Sequence, residues 1–239
     1  RVVSIDANFM FSVTQSVENT GAAAVRLAPY GIVARHGLPD DLQNFFILHE
    51  GVVRKVDGQL DELAYDDIPD LDVVAREGAA AEVVEVAADG WIGFTDKYWM
   101  TTLIPGADQP FSSVTKYVAN ADIYQTEARL PAMTVEAGQS AEVTTLLFAG
   151  AKEWETIRNY QNEGGIERFL DSIDWGWFYF LTKPIFWLLH NLNVMIGNMG
   201  LAIIALTVII KAVLFPLAYK SYASMARMRE LQPQMEKLK

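Results

Sequence analysis

The chain has no cysteine and only three histidines in 239 residues. The first absence excludes disulfides, zinc–thiolate centres and cysteine nucleophiles. The histidines, His36, His49 and His190, stand far apart and lack metal-ligand spacing. No glycine-rich phosphate loop, GxSxG elbow or HExxH motif occurs. The acidic stretch Asp66-Asp67-Ile68-Pro69-Asp70-Leu71-Asp72 lacks the EF-hand pattern and reads as a solvated loop. No enzyme is recognisable, and no catalytic residue, metal or cofactor is expected.

Charge is scarcest between Gly200 and Tyr219, where GLAIIALTVIIKAVLFPLAY contains a single charged residue, Lys211. At about 1.5 Å of rise per residue, this run matches the ~30 Å hydrocarbon core of a bilayer and reads as a transmembrane helix. Lys211 falls near its middle, where a lysine costs roughly 2.5–3.5 kcal/mol on insertion scales. A charge so placed usually faces a wet cavity or a partner, which makes Lys211 a candidate functional residue. Thr207, four residues earlier, shares its face. The alternative is that Lys211 only snorkels, but its stem of about 6 Å covers half the distance to the interface at best.

Charge is also unevenly shared. Residues 1–174 hold 12 Lys/Arg against 28 Asp/Glu, whereas residues 212–239 hold five against two. Under the positive-inside rule the acidic part lies outside the cytoplasm and the C-terminal part inside. Such an acidic domain repels phosphate, so no nucleic acid is expected as a partner. The chain opens on Arg1 within an alternating run and stops inside a helical pattern, and is expected to be an internal piece of a longer protein.

Five parts are expected. Residues 1–152 are β-rich. VVSIDANFMFSVTQSVENT alternates, AAAVRLAPYGIVARHG reads as a strand ending at Gly37, and FFILHEGVVRKVDGQLDEL reads as a hairpin turning at Asp57-Gly58. Ten or more strands at this turn spacing predict a large antiparallel sandwich. Residues 153–172 read as two short linking helices, broken at Gly164-Gly165. Residues 173–197 are rich in Trp, Phe and Tyr, are split by Thr182-Lys183-Pro184, and predict an amphipathic helix in the membrane interface. Residues 198–219 form the transmembrane helix, with Asn198 as its N-cap. Residues 220–239 predict the start of a cytoplasmic coiled-coil hairpin, with an apolar stripe through Met225, Met228, Leu231 and Met235, and with Pro233 bending or breaking it. An amphipathic helix on the membrane surface is the alternative there.

The C-terminal segment GNMGLAIIALTVIIKAVLFPLAYKSYASMARMRELQPQMEKLK resembles the YidC family of bacterial membrane-protein insertases. The family pattern falls on Gly197, Asn198, Gly200, Thr207, Lys211, Pro216, Leu217, Tyr222, Ser224, Met225, Ala226, Met228, Arg229, Leu231, Gln232 and Pro233. Met199 stands where a Trp is common, Arg227 where a Lys is common, and Lys211 where many members carry Arg. Lys keeps the charge but loses the planar fork. The resemblance is strong over 197–239, extends to DWGWFYFLTKPIFWLL as the family's interfacial helix, and covers residues 1–170 by position, as a periplasmic β-supersandwich.

The fold class implied is β plus membrane α. The function implied is an insertase and chaperone of the inner membrane, working alone or beside the Sec translocon. Clients would enter a hydrophilic groove holding Lys211 and Thr207. Arg227, Arg229, Met225 and Met228 would contact clients or the ribosome on the cytoplasmic helix. Partners would be nascent membrane proteins, the Sec translocon, the ribosome and membrane lipids. Two alternatives stay open: a transporter or channel subunit with Lys211 as an anion site, and a periplasmic binding module tethered by one helix.

Overall fold

The structure, a computed structural model, describes residues 1–236 apart from 41 and 43–47, and without the side chains of 226, 227 and 229–236. The described residues form two compact units, Arg1–Asp174 and Trp175–Lys239.

The first unit is built from 14 described strands. The first seven are β1 (Val2–Ile5), β2 (Met10–Glu18), β3 (Val25–Leu27), β4 (Tyr30–His36), β5 (Gly51–Val56), β6 (Gln59–Ala64) and β7 (Val73–Val74). The rest are β8 (Ala79–Val86), β9 (Trp91–Thr95), β10 (Trp99–Ile104), β11 (Phe111–Val118), β12 (Ile123–Arg129), β13 (Met133–Val135) and β14 (Ser140–Ala151). A seven-stranded sheet runs β1-β2-β14-β10-β9-β5-β6, a five-stranded sheet runs β4-β12-β11-β8-β7, and β13 pairs with β3. The sandwich expected from the alternating runs is present, and the β5–β6 hairpin turns at Asp57-Gly58 with both residues at positive φ. The Phe45-Phe46-Ile47 part of the predicted hairpin run lies outside the described residues.

Why the larger sheet sits where it does can be read from β5. Strand side chains alternate between faces. Val52 packs between the two sheets with Tyr65, Ile92, Phe94, Phe111 and Tyr124. Val53 packs on the opposite face with Met10, Trp91, Met100, Phe148, Ile157 and Phe169. Both faces of the seven-stranded sheet are therefore covered at its centre, one by the five-stranded sheet and one by α1 (Trp154–Asn162) and the segment after it, while the edge strand β1 stays exposed. Even its charges are enclosed. Lys55 is 1% exposed and donates to the Asp89 carbonyl at 2.7 Å and to Glu167 at 2.5 Å. Arg54, on the inner face, reaches Asp61 and Glu82, each at 2.5 Å.

Two expectations change in this unit. The strand expected over Ala22–Gly37 is two strands in two different sheets, β3 and β4. Pro29 lies between them; it has no N–H to give a ladder, and its carbonyl accepts from Leu130 N–H at 2.9 Å. The second linking helix is a single 3-10 turn, Phe169–Ser172, preceded by Arg168 in the left-handed region at φ 55°. A turn this short cannot propagate α-helical bonding.

In the second unit, α2 spans Tyr179–Ile196 and α3 spans Met199–Glu236. α2 is continuous through Pro184, which was expected to split the segment. The proline sits in the second turn, where its fixed φ suits a helix and only one N–H is lost. Likewise α3 runs unbroken past residue 219 and through Pro216 and Pro233.

Candidate functional site

The junction of α2 and α3 is set by two residues. Gly197 closes α2 in the left-handed conformation, at φ 72°, with its N–H on the Asn193 carbonyl at 2.8 Å. This is the backbone state that glycine enters without a Cβ penalty. Asn198 then caps α3, its Oδ1 accepting from Leu201 N–H at 3.1 Å, which is the N-cap read from the sequence. The two helices pack through Leu192 of α2 against Ala202 and Leu206 of α3, with Ile185, Leu188, Leu189, Ala205 and Ile210 around them. Ala202 is fully buried, and its small side chain lets the backbones approach.

The rest of α3 is apolar and uncovered within this unit. Residues Met199–Met225 form one 27-residue stretch about 40 Å long, with an 18-residue window of mean hydropathy 2.5, enough to cross a bilayer. Ile204, Val208, Val213, Phe215 and Leu217 are all at least half exposed, the condition of a helix whose solvent is lipid.

Thr207 and Lys211 are both exposed. At about 100° per residue they fall ~140° and ~180° around the helix from Ala202, so they occupy the face turned away from α2. Thr207 donates its hydroxyl to the Ile203 carbonyl at 2.8 Å, which satisfies the hydroxyl proton inside the helix and leaves the oxygen's lone pairs to accept. Pro216, five residues after Lys211, has no N–H for the Ala212 carbonyl, so that carbonyl lacks its usual helical donor next to the lysine. The arrangement offers a cation, a hydroxyl acceptor and a carbonyl on an otherwise apolar rod. It can attract and solvate a polar segment; it contains no nucleophile–base pair.

Among the remaining predicted residues, Met225 and Met228 are 50% and 66% exposed. Arg227 and Arg229 lie in α3, but their side chains are outside the described residues. The histidines are dispersed: His36 ends β4, His49 donates its backbone N–H to Asp174 at 2.8 Å, and His190 is in α2. Asp66, Asp67 and Asp70 belong to a 3-10 turn, Tyr65–Asp70. Among the described residues, no group of three His, Asp or Glu is placed to hold a metal.

The sequence reading missed a charged cluster on the five-stranded sheet. Glu77 receives Arg129 through two bonds of 2.6 Å, and Glu127 pairs with both Arg129 and Lys116. The Arg129 guanidinium holds the Glu77 carboxyl down at about 2. At Glu127 burial opposes ionisation, but the bonds from Arg129 and Lys116 outweigh it and lower the carboxyl below its usual range. Glu77 stands about 40–50 residues from Lys116 and Arg129, so no local pattern announces the group.

The fold and the helix define a class: a protein with a large β domain ahead of a helix long and apolar enough to span a membrane. Residues 1–188 match the family model of the YidC periplasmic domain, and residues 191–239 match that of the 60Kd inner membrane protein. The chain belongs to the YidC family. It is 70% identical over its whole length to the membrane protein insertase YidC of Jannaschia sp., 67% to that of Dinoroseobacter shibae and 62% to that of Ruegeria pomeroyi. It spans 39–41% of the length of these relatives. The β domain is accordingly periplasmic and α3 lies in the inner membrane.

Proposed function

We propose that this chain is the periplasmic domain and first core segment of an insertase that passes polar parts of membrane proteins across the inner membrane. The observation that carries the reading is the Thr207–Lys211 stripe, exposed on the face of the spanning helix opposite its contact with α2. A cation in lipid is costly; in a wet, half-closed groove it costs less and attracts acidic or polar client segments, offsetting part of their desolvation. Further helices of the full protein would close that groove. No covalent step is needed, and the protein acts as a chaperone in the same sense, by sheltering polar surface.

In this reading residues 1–152 are the periplasmic sandwich and 153–172 the linker. Residues 173–197 lie in the outer interface, 198–219 cross, and 220–239 begin the cytoplasmic hairpin. Arg227 and Arg229 supply charge, and Met225 and Met228 adaptable apolar contact, toward clients, the ribosome or the Sec translocon. Site-specific photocrosslinking from Thr207 and Lys211 to a ribosome-bound membrane protein tests this. Adducts from both positions, and none from Leu192 on the α2 contact, are expected; their absence from both would overturn it.

A further inference from the structure

One end of the seven-stranded sheet holds large aromatic side chains out in water. Tyr98 and Trp99, in and just after the turn between β9 and β10, are 62% and 64% exposed. Phe9, just before β2, is 55% exposed. It reaches the same end, because its carbonyl accepts from Ala149 N–H at 3.2 Å while Trp99 pairs with Ala151 on the same β14 strand. Phe9 also sits at φ 69°, a strained region for a bulky residue, and such strain gathers at functional positions.

This end is where the chain leaves the domain. Asp174, the last residue of the first unit, accepts the backbone N–H of His49 at 2.8 Å. Glu50, next in sequence, accepts the backbone N–H of Lys97 at 3.2 Å, and Lys152 donates its own N–H to the Tyr98 carbonyl at 2.8 Å. Of the acids nearby, Asp96 is turned inward, holding Arg35 at 2.6 Å and Tyr65 Oη at 2.9 Å, whereas the exposed Asp6 and Glu153 accept from the Tyr160 and Thr156 hydroxyls. What the turn offers outward is Tyr98, Trp99 and Lys97, whose ammonium lies 5.1 Å over the Tyr98 ring. Beyond Asp174 the chain continues at once into Trp175, Trp177, Phe178, Tyr179 and Phe180 and then to α3.

We propose that the Asp96–Trp99 turn, with Phe9 beside it, is a lipid-docking surface that seats the periplasmic domain in the outer headgroup layer. Tyr and Trp favour that layer because their rings are apolar while their polar tips stay wet, and a lysine above them meets anionic headgroups. The proposal rests on α3 crossing the bilayer and not on what Lys211 does there.

These 239 residues have no cysteine, so single labels placed in them are unambiguous once any cysteine elsewhere in the full protein is replaced. Phe9→Cys, Tyr98→Cys and Trp99→Cys, each carrying an environment-sensitive fluorophore, are made in the full chain. The protein is reconstituted in phosphatidylethanolamine–phosphatidylglycerol vesicles, with Ile209→Cys as the bilayer reference and Val73→Cys, 77% exposed on β7, as the water reference. Labels at Tyr98 and Trp99 are expected to be blue-shifted, quenched by shallow nitroxide lipids and several-fold less accessible to iodide than the label at Val73. Replacing Tyr98 and Trp99 together with Ser should return the Phe9 label to iodide. Iodide quenching at Tyr98 and Trp99 equal to that at Val73, or a Phe9 label still shielded in the double-Ser variant, would overturn the proposal.

Discussion

Thr207 gives its hydroxyl proton to the Ile203 carbonyl, 2.8 Å away, which leaves the polar neighbour of Lys211 only an acceptor to offer outward. In the proposed groove its share of client binding would then be one weak bond. Hydrogen bonds within membranes are worth about 0.6 kcal/mol on average, or roughly threefold in rate or affinity. Thr207→Val should lower insertion of a polar-tailed client by about that factor, and Thr207→Ser should restore it. Insertion scored by protease protection at matched expression is the check.

Among the glycines, Gly93 is the most tightly enclosed. A Cβ there would lie 2.0 Å from the Thr101 carbonyl oxygen and 2.6 Å from Thr102 Cα, both backbone atoms of β10. Neither can rotate away, so the strands must part. Gly93→Ala should cost about 3 kcal/mol or more of domain stability. Gly106→Ala, where a Cβ meets nothing closer than 4.0 Å, should be near neutral. Urea unfolding followed by tryptophan fluorescence separates the two.

Glu77 makes the periplasmic domain sensitive to acid. Its carboxyl titrates at about 2 when folded, against an ordinary value of 4.5, because Arg129 binds the ionised form. A lowered folded value stabilises above the unfolded one, and that contribution disappears as pH falls from about 4.5 toward 2. At full extent it is on the order of 3 kcal/mol, since the side chain is only 4% exposed. Glu77→Gln should therefore be less stable near neutral pH and should lose less on acidification, with Glu127 keeping part of the slope. Thermal melts from pH 6 to pH 2.5 give the comparison.

Much of this architecture was legible because its causes are local. The alternation of Val143, Thr145 and Leu147 within β14, the Asp57-Gly58 turn and the Asn198 cap each express one backbone rule over a few residues. The apolar run around Lys211 was legible for the same reason. What the sequence could not disclose depends on contacts between distant segments. Pro29 divides a run that otherwise reads as one strand, and the two halves find partners at Val135 and Glu127. Lys55, an ordinary surface residue by composition, is enclosed because Glu167, from the segment after α1, folds back onto it. The aromatic end of the sheet likewise exists only once β2, β10 and β14 are side by side.

Lys211 carries the central claim, and a charge series at that position tests it most directly. Two clients, one with an acidic translocated tail and one with an uncharged short tail, are scored for insertion by wild type, Lys211→Arg, Lys211→Ala and Lys211→Glu at matched expression. Attraction in a wet groove predicts that Arg retains insertion. Ala and Glu should lower insertion of the acidic client by about tenfold or more, about 1.4 kcal/mol, with the neutral client affected less. Raised salt should mimic part of the loss, because a wet groove is screened. Normal insertion of both clients by Lys211→Ala would contradict the account, since removing a costly intramembrane charge would then have removed nothing the protein uses.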